Sequence, residues 1–108
     1  DGVWRIIGPT ENGPQSYNCG GEVAIWTSRD QGLTWKKDRQ VTKGSEYNHS
    51  YVRKPVNAHP DFYCFWADGD GRAPSLSRLY FCDKSGEKVF RLPETMEKDR
   101  EKPVALVP

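Results

Sequence analysis

The sequence predicts an all-β protein, and three observations lead to this class. The 108 residues include 4 Trp, 5 Tyr and 4 Phe, and aromatic residues favour strands. They also include 10 glycines and 8 prolines, which favour the turns between strands. Turn residues recur about every 8 to 12 residues, a spacing typical of sandwiches, barrels and propellers rather than of βαβ units.

About seven strands are predicted from short β-branched and aromatic runs between turn signals. In chain order they cover residues 3–7, 22–27, 33–37, 49–54, 62–67, 78–82 and 88–92. The first ends at Gly8-Pro9, and residues 11–21, rich in Gly, Pro and Asn, predict a surface loop. The second and third flank the turn 28–32, so we expect them to form a hairpin.

The later strands are also bounded by turn residues. Pro55 ends the fourth strand, and residues 68–71 (Asp-Gly-Asp-Gly) separate the fifth strand from the sixth. Symmetric closure of that hairpin makes three residue pairs face each other: Cys64 with Cys82, Trp66 with Tyr80, and Asp68 with Arg78.

The last stretch, residues 94–108, is predicted to be a tail or linker. It is rich in charge and then apolar, and Pro103 ends any helical turn formed by residues 96–101. At the other end, the chain begins at Asp1 without a methionine or a signal peptide, which favours a start made by processing or by cutting.

Charge and hydropathy argue against nucleic-acid binding and against a membrane-spanning helix. Lys and Arg number 16 against 15 Asp and Glu, for a net charge of +1, so no long-range field selects a polyanion. A nucleic-acid-binding protein is therefore not expected. No apolar run approaches the roughly 20 residues that a membrane-spanning helix needs, so no membrane span is expected.

One motif has a clear physical logic: Ser28-x-Asp30-x-Gly32-x-Thr34-Trp35. An aspartate inside a tight turn accepts hydrogen bonds from the backbone amides of the loop that it closes. A glycine two residues later supplies the positive φ that the turn requires. We expect the Trp35 ring to lie under the turn and to attach it to the sheet.

This motif resembles the Asp-box of the bacterial-neuraminidase (BNR) repeat, which is found in sialidases and other β-propellers. The match is complete at its five specified positions: Ser28, Asp30, Gly32, Thr34 and Trp35. In that family the box lies between the third and fourth strands of a blade and is structural. The resemblance therefore implies no catalytic role for these residues.

Further short motifs resemble a subgroup of BNR propellers from polysaccharide-degrading bacteria, some of them similar to ulvan lyases. These are Asn48-His49, Tyr51-x-Arg53-x-Pro55, His59-Pro60-x-Phe62, the run 65–69 (FWADG) and the run 77–81 (SRLYF). The resemblance covers about residues 1–93 and is strongest over 47–92. Since a blade holds about 40 to 50 residues, it implies two four-stranded blades of a larger ring, about 1–45 and 46–93.

The resemblance also implies a function and a localisation for the whole protein. The whole protein is expected to be a secreted or periplasmic polysaccharide lyase or glycosidase, of which this chain alone is inactive. A non-catalytic propeller that binds glycans or proteins is the alternative. The expected partners are a polysaccharide or glycan and the remaining blades of the same protein.

The cysteines allow three interpretations. Cys64 and Cys82 can be buried reduced thiols, a cross-strand disulfide, or ligands of a structural zinc ion. In the zinc interpretation, His59 and His49 complete a tetrahedral set of two thiolates and two imidazoles. The similarity to ulvan lyases, some of which carry a structural zinc, adds to this third interpretation.

A possible active site lies on the fourth strand and just before it. By the period of two, Tyr47, His49, Tyr51 and Arg53 are predicted to share one face. A lyase needs a cation for the uronate carboxylate, a base for the C5 proton and an acid for the leaving oxygen. His49, Tyr51 and Arg53 suit these roles, and Tyr47 and Arg53 suit substrate contacts. A non-catalytic sugar-binding face and a solvated surface are the alternatives.

Overall fold

A computed structural model describes residues 1–106, which form two antiparallel β-sheets. The strands are β1 (Trp4–Glu11), β2 (Glu22–Ser28), β3 (Lys36–Gln40), β4 (His49–Arg53), β5 (Cys64–Asp68), β6 (Leu79–Cys82), β7 (Val89–Arg91) and β8 (Val104–Leu106). No helix forms within residues 1–106, so the all-β prediction is confirmed. In this range there is accordingly no helix long and apolar enough to cross a membrane.

Within each sheet, every strand pairs with the strands next to it in the sequence, whereas β3 and β4 belong to different sheets. The first sheet has three strands in the order β1-β2-β3, and the second has five in the order β4-β5-β6-β7-β8. The sheets meet where Gly21 bridges His49, through backbone hydrogen bonds of 3.0 and 2.8 Å. The prediction of antiparallel sheets is thus confirmed, but the strand numbers are three and five.

The register between β5 and β6 is the one that symmetric hairpin closure predicts. Cys64 faces Cys82, and Trp66 faces Tyr80. Beyond the ladder, the backbone amide of Asp68 donates to the carbonyl of Arg78 at 3.1 Å. Because side chains alternate along each strand, Cys64, Trp66 and Asp68 lie on one face and are buried.

Two strands differ from their predicted bounds. β1 continues through Gly8-Pro9 to Glu11, with an irregular register there, because an edge strand tolerates a proline that lacks an N–H. β3 begins at Lys36 rather than at Leu33, because residues 33–35 still belong to the turn after β2, where the Thr34 amide donates to Asp30. Leu33 is accordingly 85% exposed.

The tail is the largest correction to the predicted organisation. Val104–Leu106 forms β8 and pairs with β7, with Val89 opposite Leu106 and Phe90 opposite Ala105. This strand covers backbone groups that β7 would otherwise leave unpaired, and Leu106 also packs against the core. Residues 96–101 are not helical. The predicted tail extends to residues 107 and 108, which lie outside the described residues.

The core lies between the two sheets. Val23 of β2 meets a cluster from the second sheet made up of Cys64, Trp66, Tyr80, Cys82 and Val89. Ile7, Val41, Val52 and Leu106 pack around this cluster. The core therefore depends on strands from both halves of the chain, and polar side chains lie beside it at the junction of the sheets.

Candidate functional site

A buried carboxylate begins the polar network at the junction of the two sheets. Glu22, at the start of β2, is 5% exposed. Its carboxylate accepts hydrogen bonds from Thr42 Oγ1 at 2.8 Å, Ser45 Oγ at 2.5 Å and the Ser45 amide at 3.0 Å. Burial alone raises the pKa of Glu22, but these hydrogen bonds and the nearby His49 outweigh it, so the pKa is lowered.

The imidazole of His49 continues the network. Trp66 Nε1 donates to His49 Nδ1 at 2.9 Å, and His49 Nε2 lies 2.9 Å from Ser45 Oγ. Because an indole nitrogen can only donate, Nδ1 must be an acceptor, which assigns the proton to Nε2 and makes it the donor to Ser45. His49 is 3% exposed, and this burial lowers its pKa despite the nearby carboxylates of Asp68 and Glu22.

A second branch of the network centres on Asp68 at the end of β5. Its carboxylate accepts hydrogen bonds from Tyr80 Oη at 2.8 Å and from the Arg78 amide at 2.7 Å. Burial, together with the hydrogen bond to Asp68, raises the pKa of Tyr80 to about 12. The Arg78 guanidinium donates from Nη2 to Glu46 at 3.0 Å, whereas its buried Nε has no hydrogen-bond partner among residues 1–106.

The two branches line a cavity of about 390 Å³ between the sheets, which we call the interface cavity. His49, Asp68 and Tyr80 are buried polar groups of its wall, and Val89 and Leu106 supply apolar surface. Its charged rim is balanced by two ion pairs of 3.0 Å: Arg78 with Glu46, and Arg39 with Glu87. The cavity therefore offers donors, acceptors and an apolar wall.

This arrangement suits binding more than proton abstraction. Neutral His49 has its Nδ1 lone pair engaged by Trp66, and its other nitrogen carries a proton. Tyr80, with a pKa of about 12, stays protonated at neutral pH. Neither group provides a free base facing the cavity.

The predicted active-site face is not formed, because β4 is irregular. The register with β5 shifts between Ser50 and Arg53, and Tyr51 has a φ of 58°. Tyr51 is 72% exposed whereas His49 is buried, so the prediction that these side chains share one face is wrong. Arg53 lines a separate cavity, and Tyr47 lies beside Arg78, 5.8 Å from the guanidinium carbon to the ring centroid.

The four predicted zinc ligands are not brought together. Cys64 and Cys82 are buried thiols whose Sγ atoms lie 3.3 Å apart, as the reduced interpretation expects. Their hydrogen bond and burial raise the pKa of Cys82. Both ring nitrogens of His49 are hydrogen-bonded, to Trp66 and to Ser45. His59 lies on the surface with its side chain 73% exposed. Residues 1–106 contain no group of three or more His, Cys, Asp or Glu side chains placed to hold a metal.

The Asp-box hairpin has the local bonds that its sequence predicts. Asp30 accepts from the Thr34 amide at 2.9 Å and from Thr34 Oγ1 at 2.5 Å, and Ser28 Oγ donates to it at 2.8 Å. Gly32 has a φ of 89°, as the turn requires. Trp35 donates from Nε1 to the Gly32 carbonyl at 3.1 Å.

Sequence reasoning missed several residues of the network, among them Glu22, Ser45, Trp66 and Tyr80. The available signal was a carboxylate at the head of the apolar run 22–27, since a charge in such a run must find partners if it is buried. The side chain packed against Gly32 was also missed: a Cβ on this glycine would lie 2.9 Å from the ring of Trp4.

Comparison of the chain with protein-family models, with curated proteins and with solved structures finds no match. The resemblance to the BNR repeat therefore depends on the motif residues of the sequence.

Proposed function

We propose that this chain forms two adjacent blades, in part or whole, of a BNR-repeat β-propeller. The observation that carries the proposal is the Asp-box hairpin, because its hydrogen bonds join the same residues that carry the sequence resemblance. In the BNR family the box lies between the third and fourth strands of a blade. The box here lies between β2 and β3, so β1–β3 would correspond to the last three strands of a blade.

The second sheet supports the same proposal. Strands β4 to β7 form an antiparallel meander in sequence order, which is the arrangement of one propeller blade, and β8 adds a fifth strand. In this proposal the remaining blades come from other parts of the same protein.

The function we propose for the whole protein is polysaccharide processing outside the cytoplasm, as a lyase or glycosidase. The contribution of this chain would be to hold a glycan in the interface cavity. Sugar hydroxyls both donate and accept hydrogen bonds, so they suit the mixed lining of Ser45, Asp68 and Arg78. The apolar faces of a sugar ring suit Val89 and Leu106.

One observation favours a second candidate, a propeller module that binds glycans without catalysis. The buried histidine is neutral and has its nitrogens engaged, and Tyr80 has a raised pKa. These groups recognise a ligand better than they transfer protons.

The test is a titration of the chain with neutral and acidic oligosaccharides, followed by NMR and calorimetry, with reducing-end and unsaturated-uronate assays in parallel. We expect binding that shifts the Tyr80 and Val89 resonances, without turnover. Arg78→Gln should weaken binding, whereas Arg72→Gln, at an exposed residue outside the cavity, should not.

Three results would count against the proposal. Failure to bind any oligosaccharide contradicts the glycan-binding role of this chain. Binding that Arg78→Gln leaves unchanged, in a variant with a native circular dichroism spectrum, contradicts the assignment to the interface cavity. Turnover by this chain alone contradicts the non-catalytic candidate.

A further inference from the structure

A second cavity, of about 290 Å³, lies where β1 meets β4 and the segment leading into β5. We call it the basic cavity. Its charged residues are Arg5, Arg53 and Lys54, and Ile7 and Val52 are among its apolar lining residues. None of its lining residues in the described range 1–106 is acidic.

An aromatic ring organises the cations around this cavity. Lys54 Nζ lies 5.2 Å from the centroid of the Tyr63 ring, and Lys84 Nζ lies 5.9 Å from the same centroid. Cation–π attraction to the Tyr63 ring therefore favours the placement of both ammonium groups.

The carboxylates nearby do not neutralise this charge. Asp1 pairs with Arg5 at 3.0 Å and with Lys84 at 3.5 Å. Within residues 1–106, neither Arg53 nor Lys54 forms an ion pair. Among residues 1–106, the lining of the basic cavity thus has three cations and no carboxylate, in a chain whose net charge is only +1.

We propose that the basic cavity binds a tetrahedral oxyanion, namely a sulfate or phosphate ester group carried by a larger ligand. The Arg53 guanidinium on β4 forms no ion pair with the described residues and can present two N–H donors to such an anion, and Lys54 adds an ammonium group. Arg5 on β1 adds positive charge, although both of its Nη atoms already donate to Asp1. The apolar lining lowers the local dielectric constant, which strengthens attraction between the anion and these cations.

Arg53 then contacts a ligand as the sequence predicted, but its companions are Arg5 and Lys54 rather than His49 and Tyr51. The inference uses only the packing of β1, β4 and β5, so it does not depend on the propeller proposal or on the interface cavity.

The experiment is an NMR titration of the chain at low ionic strength with inorganic sulfate and inorganic phosphate. Sodium acetate and sodium chloride, matched for ionic strength, serve as controls. We expect saturable shifts at the amides of Arg53, Lys54 and Tyr63, with dissociation constants in the millimolar range for the bare anions. A sulfated sugar and a phosphorylated sugar then show which ester binds more tightly.

Two variants test the assignment. Arg53→Gln and Lys54→Gln should each weaken sulfate binding about tenfold, since each removes a charged hydrogen-bond donor. Both residues are exposed, and circular dichroism verifies that each variant is folded. Lys36→Gln, on β3 at the opposite edge of the first sheet, is the matched control and should bind like wild type.

The inference is overturned if sulfate and phosphate produce no saturable shifts, or if acetate produces the same shifts at equal concentration. It is also overturned if both cavity variants bind sulfate like wild type. Oligosaccharide binding at the interface cavity is detected separately, through the resonances of Tyr80 and Val89. The glycan proposal and the oxyanion proposal can therefore succeed or fail independently of each other.

Discussion

The Asp-box hairpin and the network of the interface cavity are both built from polar side chains, but over very different distances along the chain. In the hairpin, Asp30 bonds to Ser28 and Thr34, which lie two and four residues away. In the network, Glu22 bonds to Thr42 and Ser45, 20 and 23 residues away, and Trp66 bonds to His49 across 17 residues.

The two regions also differ in exposure. Asp30 and Thr34 lie toward solvent, whereas Glu22, His49 and Asp68 are at most 6% exposed. A surface polar group that loses its partner regains hydrogen bonds to water, but a buried one does not. The comparison therefore predicts that similar substitutions cost more in the network than in the hairpin.

The largest expected effect on stability comes from replacing one tryptophan in each region by alanine. Trp66→Ala should lower the free energy of unfolding by about 3–5 kcal/mol, because it opens a cavity in the core and removes the partner of His49. Trp35→Ala should cost about 1 kcal/mol, since this ring is already 37% exposed. Urea unfolding followed by circular dichroism measures both, and equal losses would contradict the comparison.

The next effect is a pH dependence that arises from His49. Burial lowers its pKa below the ordinary 6.5, so the unfolded chain takes up a proton at a higher pH than the folded chain. Stability from this group is complete above pH 6.5 and decreases as the pH falls below it. His49→Gln should flatten the dependence of the unfolding free energy between about pH 7 and pH 5.

The control for this prediction is the other histidine. His59 lies on the surface with its side chain 73% exposed, so His59→Gln should keep the wild-type slope. A wild-type protein whose stability is constant over this pH range would show that His49 is not buried as a neutral group.

A smaller effect is expected in acid from the Asp-box. Hydrogen bonds from Thr34, with a further one from Ser28, lower the pKa of Asp30 from 3.8 to about 2. The stability that this carboxylate contributes is therefore present above pH 3.8 and is lost as the pH falls toward 2. The measurement is the protection of the Thr34 amide from hydrogen exchange, which should decrease as the pH falls from 3.8 toward 2 because this amide donates to Asp30. Asp30→Asn should abolish that decrease, whereas Asp38→Asn should leave it unchanged. Equal acid dependence in wild type and Asp30→Asn would contradict the assignment.

The smallest effect concerns the irregularity of β4. Tyr51 is a non-glycine residue with a φ of 58°, a conformation that costs about 1–2 kcal/mol and that glycine adopts freely. Glycine also loses more chain entropy on folding, so Tyr51→Gly should change the unfolding free energy by no more than about 1 kcal/mol. Val52→Gly should destabilise clearly, since Val52 packs against the core. Similar losses in the two variants would mean that Tyr51 lies on the buried face.

Much of the fold could be predicted because its signals are local. The runs 62–67 and 78–82, with symmetric closure of the loop between them, are enough to predict that Cys64 faces Cys82. The pairing of β8 could not be predicted, because three apolar residues after a charged stretch become a strand only when β7 offers an open edge. The irregular backbone at Tyr51 likewise has no local signal, since tyrosine does not favour positive φ.

By itself the sequence determined the all-β class, the β5–β6 register and the hairpin between β2 and β3 with the hydrogen bonds of Asp30. Their bonds join residues that are close in the chain or are related by one turn. Only the tertiary structure decided the tautomer of His49, the burial of Glu22 and the grouping of Arg5 with Arg53. The physical reason is that a side chain's protonation and accessibility depend on groups brought next to it by packing, and packing here joins two sheets from separate halves of the chain.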